Sequence, residues 1–168
     1  MDINQKTAGS GCGNRSLPPV TITCLIRAAL DARRFSYAPY SRYCVGAAVL
    51  TEDGSVFSGC NIENASYGAT ICAERTAIFA AVSRGHRRII ALALAAAPEG
   101  TEPAATRDYP SPCGICRQVM REFADPKEFP VIMAKSPEDY RIQSLEELLP
   151  ESFGPSYLQE KTNTATEQ

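Results

Sequence analysis

The segment Ile89 to Ala96 reads Ile-Ile-Ala-Leu-Ala-Leu-Ala-Ala, an apolar run of strand length with no polar interruption. A strand with one wet face alternates apolar and polar positions, so this run predicts a strand covered on both sides. The rest of the chain must supply that cover. Ile22, Leu25, Ile26, Ala29 and Leu30 recur at helical spacing behind Pro18-Pro19 and Thr21, which predicts a helix ending near Phe35, ahead of the Pro39 turn. Val45–Leu50 and Ser55–Asn61 read as strands joined at Asp53-Gly54. A second helix is expected from near Cys72 to Gly85, burying Ile78, Phe79 and Val82. Pro98 to Pro112 reads as loop, followed by a helix from Pro112-Cys113 to Ala124, because proline suits a first helical turn. Val131–Ala134 is a fourth short strand, and a short helix covers Leu145–Leu149. Helices after an early hairpin, alternating with later strands, predict an α/β fold with a mixed sheet flanked by helices.

Composition narrows the class. A chain of 168 residues that is 44% hydrophobic has the material for one core and needs no disulfide staples. The polar ends, 1–19 and 159–168, are expected to be disordered tails on a single domain spanning 20–158. A formal net charge of −2 argues against a binder of nucleic-acid backbones. The basic cluster Arg84, His86, Arg87 and Arg88 is short and reads as a solvated connection between helix and strand. The first residues lack the pattern of a signal or transit peptide, and no apolar run approaches the ~20 residues of a membrane span. A cytoplasmic protein with no membrane partner is therefore expected. Thiols stay reduced there, so seven cysteines point to metal or catalysis more than to a disulfide framework.

Pro112-Cys113-Gly114-Ile115-Cys116 opens a predicted helix, and its two thiols can face one ion with the positive helix end favouring them as anions. Alone, a Cys-x-x-Cys is a redox pair, half of a structural zinc site, or chance. Cys72-Ala73-Glu74 begins another predicted helix, so two helix starts could converge with three thiolates. A structural zinc site closes with a fourth Cys or His. Here the one histidine, His86, lies beyond the end of its helix, although Cys12, Cys24, Cys44 and above all Cys60 could supply a fourth thiolate. An open fourth position suits a bound water, which catalysis requires. Glu74, in the same first turn as Cys72, is placed to take and return protons, or else simply complements the helix dipole.

The pairing of Cys-Ala-Glu with Pro-Cys-x-x-Cys resembles the zinc deaminases that act on nucleobases. Gly59-Cys-Asn-Ile-Glu-Asn64, Cys72-Ala-Glu-Arg-Thr-Ala77 and Ser111-Pro-Cys-Gly-Ile-Cys-Arg-Gln118 resemble, more narrowly, the small homotetrameric cytidine deaminases, over about Leu25 to Leu158. The resemblance implies a three-layer α/β/α sandwich and one zinc ion per subunit on Cys72, Cys113 and Cys116. It implies hydrolysis of cytidine and 2′-deoxycytidine to uridine and 2′-deoxyuridine with release of ammonia, in pyrimidine salvage. Activated water would attack C4 of the base, with Glu74 protonating N3 and the departing ammonia. Substrate contacts would come from Asn61, Glu63, Tyr43, Ala73 and Phe153.

Several of these roles have a physical basis. Zinc with three thiolates carries a net charge of −1, which makes a bound water harder to ionise, and Arg75 could offset that charge by donating to sulfur. Asn61 and Glu63, two apart at a strand end, share a face and can serve the hydroxyls of a ribose. Tyr43 stands where similar enzymes commonly carry phenylalanine near the base, and its hydroxyl needs a partner or water. Phe153 matches an aromatic that reaches an adjoining subunit's site, and Tyr67 is a weaker candidate near subunit contacts. The Pro98–Ser111 connection is longer than is usual among those enzymes.

A structural zinc module and a thioredoxin-like redox protein are the competing classes. The first would close its fourth position, and the second would have no use for Cys72-Ala-Glu74. Deamination of bases within RNA or DNA, or of a nucleoside antibiotic, is the competing enzyme reading.

Overall fold

A computed structural model describes residues 17–158. The chain runs α1 (Pro19–Arg33), β1 (Tyr43–Thr51), β2 (Val56–Cys60), α2 (Ala73–Val82), β3 (Ile89–Pro98), α3 (Gly114–Phe123), β4 (Pro130–Ala134), β5 (Tyr140–Ser144) and α4 (Leu145–Leu148). The five strands form one sheet in the order β2-β1-β3-β4-β5. β1 pairs antiparallel with both β2 and β3, β3 pairs parallel with β4, and β4 pairs antiparallel with β5. The sheet is mixed, as the sequence pattern predicts.

The apolar run is the middle strand. Leu92 and Leu94 of β3 join Ala47 and Val49 of β1 in a core beneath α2 and α3. Ala91, Ala93 and Ala95 face the other way and pack with Ala48 and Leu50 under α1. α1 thus covers one face and α2, α3 and α4 cover the other, giving three layers. Small side chains bring α1 in close. A Cβ on Gly46 would collide with the Ala29 carbonyl and the Arg33 backbone, so glycine is required there.

β1 and β2 are joined through Asp53-Gly54, with the Gly54 N–H donating to the Thr51 carbonyl at 3.0 Å and Gly54 at φ +87°. Asp53 accepts from the Thr51 hydroxyl (2.6 Å) and the Ser55 N–H (3.1 Å), which closes the turn. His86 and Arg88, from the short basic cluster, lie across from this turn and pair with Asp53 and Glu52.

Three expectations need correction. Tyr140–Ser144 is a fifth strand on the sheet edge, where the pattern had shown none. Phe79 is 45% exposed rather than buried. The face of α2 that packs inward is Ala73, Glu74, Ala77, Ile78 and Ala81. Small residues win there because α2 lies directly on β2, where a Cβ on Gly59 would come within 2.6 Å of the Ala77 nitrogen. β2 also stops at Cys60, so Asn61 lies just past it.

α1 begins at Pro19, and Leu17 packs against the core under that helix. Of the tails expected over 1–19 and 159–168, residues 1–16 and 159–168 lie outside the described residues, as does Cys12. Among the described residues no helix is long and apolar enough to cross a membrane.

Candidate metal centre and active site

Cys72 is the N-cap of α2 and Cys113 the N-cap of α3. That position usually carries Ser, Thr, Asp or Asn, whose side chain accepts from the helix's free N–H groups, a contact worth about 1 kcal/mol. Neither cysteine makes such a bond. Their sulfurs face each other instead, Cys72 Sγ lying 3.9 Å from Cys113 Sγ, with Cys116 Sγ 3.5 Å from Cys113 Sγ. All three sulfurs fall within 4.8 Å of one another, and theirs is the metal-type cluster found among the described residues. Zinc–sulfur bonds of about 2.3 Å in tetrahedral geometry put sulfurs about 3.8 Å apart, so this donor set fits zinc.

The electrostatics agree with a thiolate site. Cys72 is lowered to about 5, first by the hydrogen bond from Cys116 and further by Arg75 and Cys113. Cys116 moves the other way because it is the donor to Cys72 and is buried. Arg75 Nη2 donates to the Thr70 carbonyl (3.1 Å) and to Cys72 Sγ (3.5 Å). Its Nε is buried without a partner among the described residues.

Glu74 follows in the first turn of α2 and is only 4% exposed. Burial, ahead of every other influence, pushes its carboxyl up to about 7. A buried carboxyl poised near neutrality can both accept and donate a proton, as a general acid–base requires. Ala73 beside it is fully buried, so the backbone is what it can offer a ligand.

The other cysteines do not join the cluster. Cys60 donates to the Phe35 carbonyl at 3.2 Å, and burial raises its thiol. Cys24 and Cys44 are free thiols outside the metal-type cluster. Among the described residues, then, no fourth Cys or His closes the centre.

Asn61 and Glu63 both reach toward residues 40–45. Asn61 is nearly buried; its Oδ1 accepts from the Val45 N–H (2.9 Å) and its Nδ2 donates to the Tyr43 carbonyl (2.8 Å). Glu63 Oε2 accepts from the N–H groups of Tyr40 (2.9 Å) and Ser41 (3.2 Å), and Oε1 accepts from the Ser41 hydroxyl. Each side chain braces backbone and retains spare hydrogen-bonding capacity for a ligand. Glu63 also lines a cleft of about 350 Å³ with Tyr40, Ser41, Tyr67 and Thr70. Thr70 joins that cleft to the cysteines through Arg75.

Tyr43 is half-exposed at the start of β1, and Phe153 is 56% exposed with its ring 5.3 Å from that of Tyr157. Sequence reasoning missed Ser41 and Arg117. Arg117 sits inside the Cys-x-x-Cys-Arg-Gln motif, and a cation in the second turn of a helix capped by cysteine was the available signal.

The profile described as the cytidine and deoxycytidylate deaminase zinc-binding region matches residues 21–133. A cytidine deaminase of Halalkalibacterium halodurans is 47% identical over 129 residues, covering 77% of this chain and 91% of the relative. The crystal structure of cytidine deaminase from Burkholderia pseudomallei superposes with a TM-score of 0.69 at 45% identity, covering 77% of this chain and 97% of that one. The cytidine deaminase of Mycobacterium tuberculosis superposes at 0.64 with 38% identity, covering 78% and 95%. With the cysteine cluster, the buried Glu74 and the three-layer sheet in hand, these matches show that the chain belongs to the zinc-dependent cytidine and deoxycytidylate deaminase family.

Proposed function

We propose that this protein hydrolyses cytidine and 2′-deoxycytidine to uridine and 2′-deoxyuridine, releasing ammonia, as a cytoplasmic homotetramer in pyrimidine salvage. The observation that carries this reading is a buried, near-neutral Glu74 two residues after Cys72, the α2 N-cap that belongs to a three-sulfur cluster with no fourth protein ligand among the described residues. A closed structural zinc site would have no need of such a carboxyl, and a dithiol redox pair would have no need of the third sulfur.

Cys72, Cys113 and Cys116 would hold zinc, which when bound supplies a Lewis acid able to activate water near neutral pH. Glu74 makes two transfers: it takes one proton from the attacking water and gives it to N3 of the base, then takes the second from the hydroxyl left on C4 and gives it to the leaving nitrogen. Arg75 neutralises part of the thiolate charge by donating to Cys72. Asn61 and Glu63 receive the sugar hydroxyls beside the Tyr40–Tyr67 cleft, which distinguishes a nucleoside from a free base. Tyr43, Ala73 and the aromatic Phe153 complete the pocket, with Phe153 acting on an adjoining subunit's substrate. The catalytic domain in this reading spans residues 20–158.

The test is ultraviolet absorbance of cytidine and 2′-deoxycytidine incubated with the purified, zinc-loaded protein, with ammonia measured in parallel. Wild type converts both, whereas Glu74→Ala binds zinc and loses at least about a hundredfold in turnover. A zinc-loaded wild type that leaves absorbance and ammonia unchanged refutes the reading.

A further inference from the structure

Cys113 spends its side chain on the sulfur cluster, so something else must fix the loop that delivers it. Arg117, one turn further along α3, reaches back to do so. Its Nε donates to the Pro112 carbonyl at 2.7 Å, and its Nη2 donates to the Ser111 hydroxyl at 3.1 Å. These two residues immediately precede Cys113. The remaining arm, Nη1, donates at 2.7 Å to the carbonyl of Leu148, the last residue of α4 and therefore one without an in-helix partner. One planar guanidinium is thus shared by the metal loop and the start of the C-terminal segment.

The next residues on α3 grip the same segment. Gln118 Nε2 donates to the Phe153 carbonyl at 3.0 Å. Arg121 lies under Gly154, where a Cβ would come within 2.5 Å of its guanidinium carbon. The short chain from Leu148 to Gly154 is therefore laid along the helix whose first turn carries two of the sulfurs.

We infer that Arg117 is a positioning residue that couples the metal loop to the C-terminal segment, so that loading the thiolates and docking residues 148–154 support each other. The inference rests on the metal centre proposed above. A point charge could not do the same work: Lys has no rigid fork with separate arms for three acceptors on two segments. Groups that hold metal ligands in place are typically worth 10- to 100-fold in metal affinity. Coupling of this kind is reciprocal, so the C-terminal segment must also sense the metal.

Zinc release into a chelator and amide hydrogen exchange test it on the full chain, for wild type, Arg117→Lys and Arg117→Ala. Expected are release at least about tenfold faster from both variants, and exchange at residues 148–154 that rises on zinc removal in wild type but no longer responds to zinc in the variants. Exchange in α1, on the opposite face of the sheet, serves as the control and stays unchanged. If Arg117→Ala does not fold, Arg117→Lys decides alone. Wild-type release rates from a folded Arg117→Lys, or a C-terminal segment indifferent to zinc in wild type, overturn the inference. A wild type that takes up no zinc overturns the metal centre itself, a separate failure.

Discussion

Glu63 is a scaffold in the structure and, in the proposed function, a reader of the sugar as well. Its carboxylate accepts two backbone N–H bonds and a hydroxyl from Tyr40 and Ser41, and the Ser41 hydroxyl is the main reason it is held below the usual carboxylate range. Those bonds are complete above the ordinary carboxylate pKa and are lost as pH falls through the lowered folded value. Glu63→Gln offers one acceptor oxygen where there were two and points an NH2 at donors. KM for cytidine should rise about tenfold, the worth of one good hydrogen-bonding group, while hydrolysis of free cytosine changes little. Steady-state kinetics on both compounds checks this, and equal effects on the two would remove Glu63 from sugar recognition. The amides of Tyr40 and Ser41 should exchange faster in the variant at neutral pH, and in wild type only at acid pH.

The long connection between β3 and α3 is pinned at both ends. Arg33 Nη2 donates to the carbonyls of Thr101 (2.7 Å) and Pro98 (3.1 Å) at its start. Near its end the Tyr109 hydroxyl donates to Asp139 in the β4–β5 turn, with Lys135 Nζ 4.9 Å and Arg141 Cζ 5.9 Å from its ring centre. That hydroxyl is the chief cause of the lowered Asp139 pKa, so the latch is intact above the ordinary carboxylate range and fails as pH falls through the folded value. Tyr109→Phe keeps the ring and its cations but removes the bond. Hydrogen exchange across residues 99–111 should quicken while α1 stays protected; unchanged loop protection would show that the ring alone holds it.

This latch also marks where sequence stops being legible. β3 could be read because eight apolar residues have one explanation, and the centre could be read because Cys-Ala-Glu and Cys-x-x-Cys are rare chemistry at two helix starts. β5 could not, since Tyr-Arg-Ile-Gln-Ser is short and exists through pairing with β4. Phe79 faces outward despite its size because Gly59 and the alanines of α2 hold that helix too close to the sheet for a large ring. The bracing roles of Asn61 and Arg117 escaped because their partners are backbone groups brought in from distant segments.

At the scale of the molecule, Phe35, Tyr37, Tyr67, Phe79, Phe153 and Tyr157 are all exposed on the single chain. In the proposed tetramer of 18.2-kDa subunits, neighbouring copies would cover a share of these rings. The decisive question is whether Phe153 acts on its own subunit's substrate or on a neighbour's. Glu74→Ala destroys its own site but leaves an intact Phe153 to lend. Phe153→Ala keeps a working Glu74 but lends its neighbour a truncated side chain. If Phe153 acts across the interface, a Phe153→Ala subunit beside a Glu74→Ala subunit has both groups in one pocket. Co-expressed chains, purified as mixed tetramers, should then be more active than either parent, by more than dilution of the two can give. If Phe153 serves its own subunit, every pocket in the mixture lacks one group and no gain is possible. Turnover of the mixed assembly therefore separates the two arrangements.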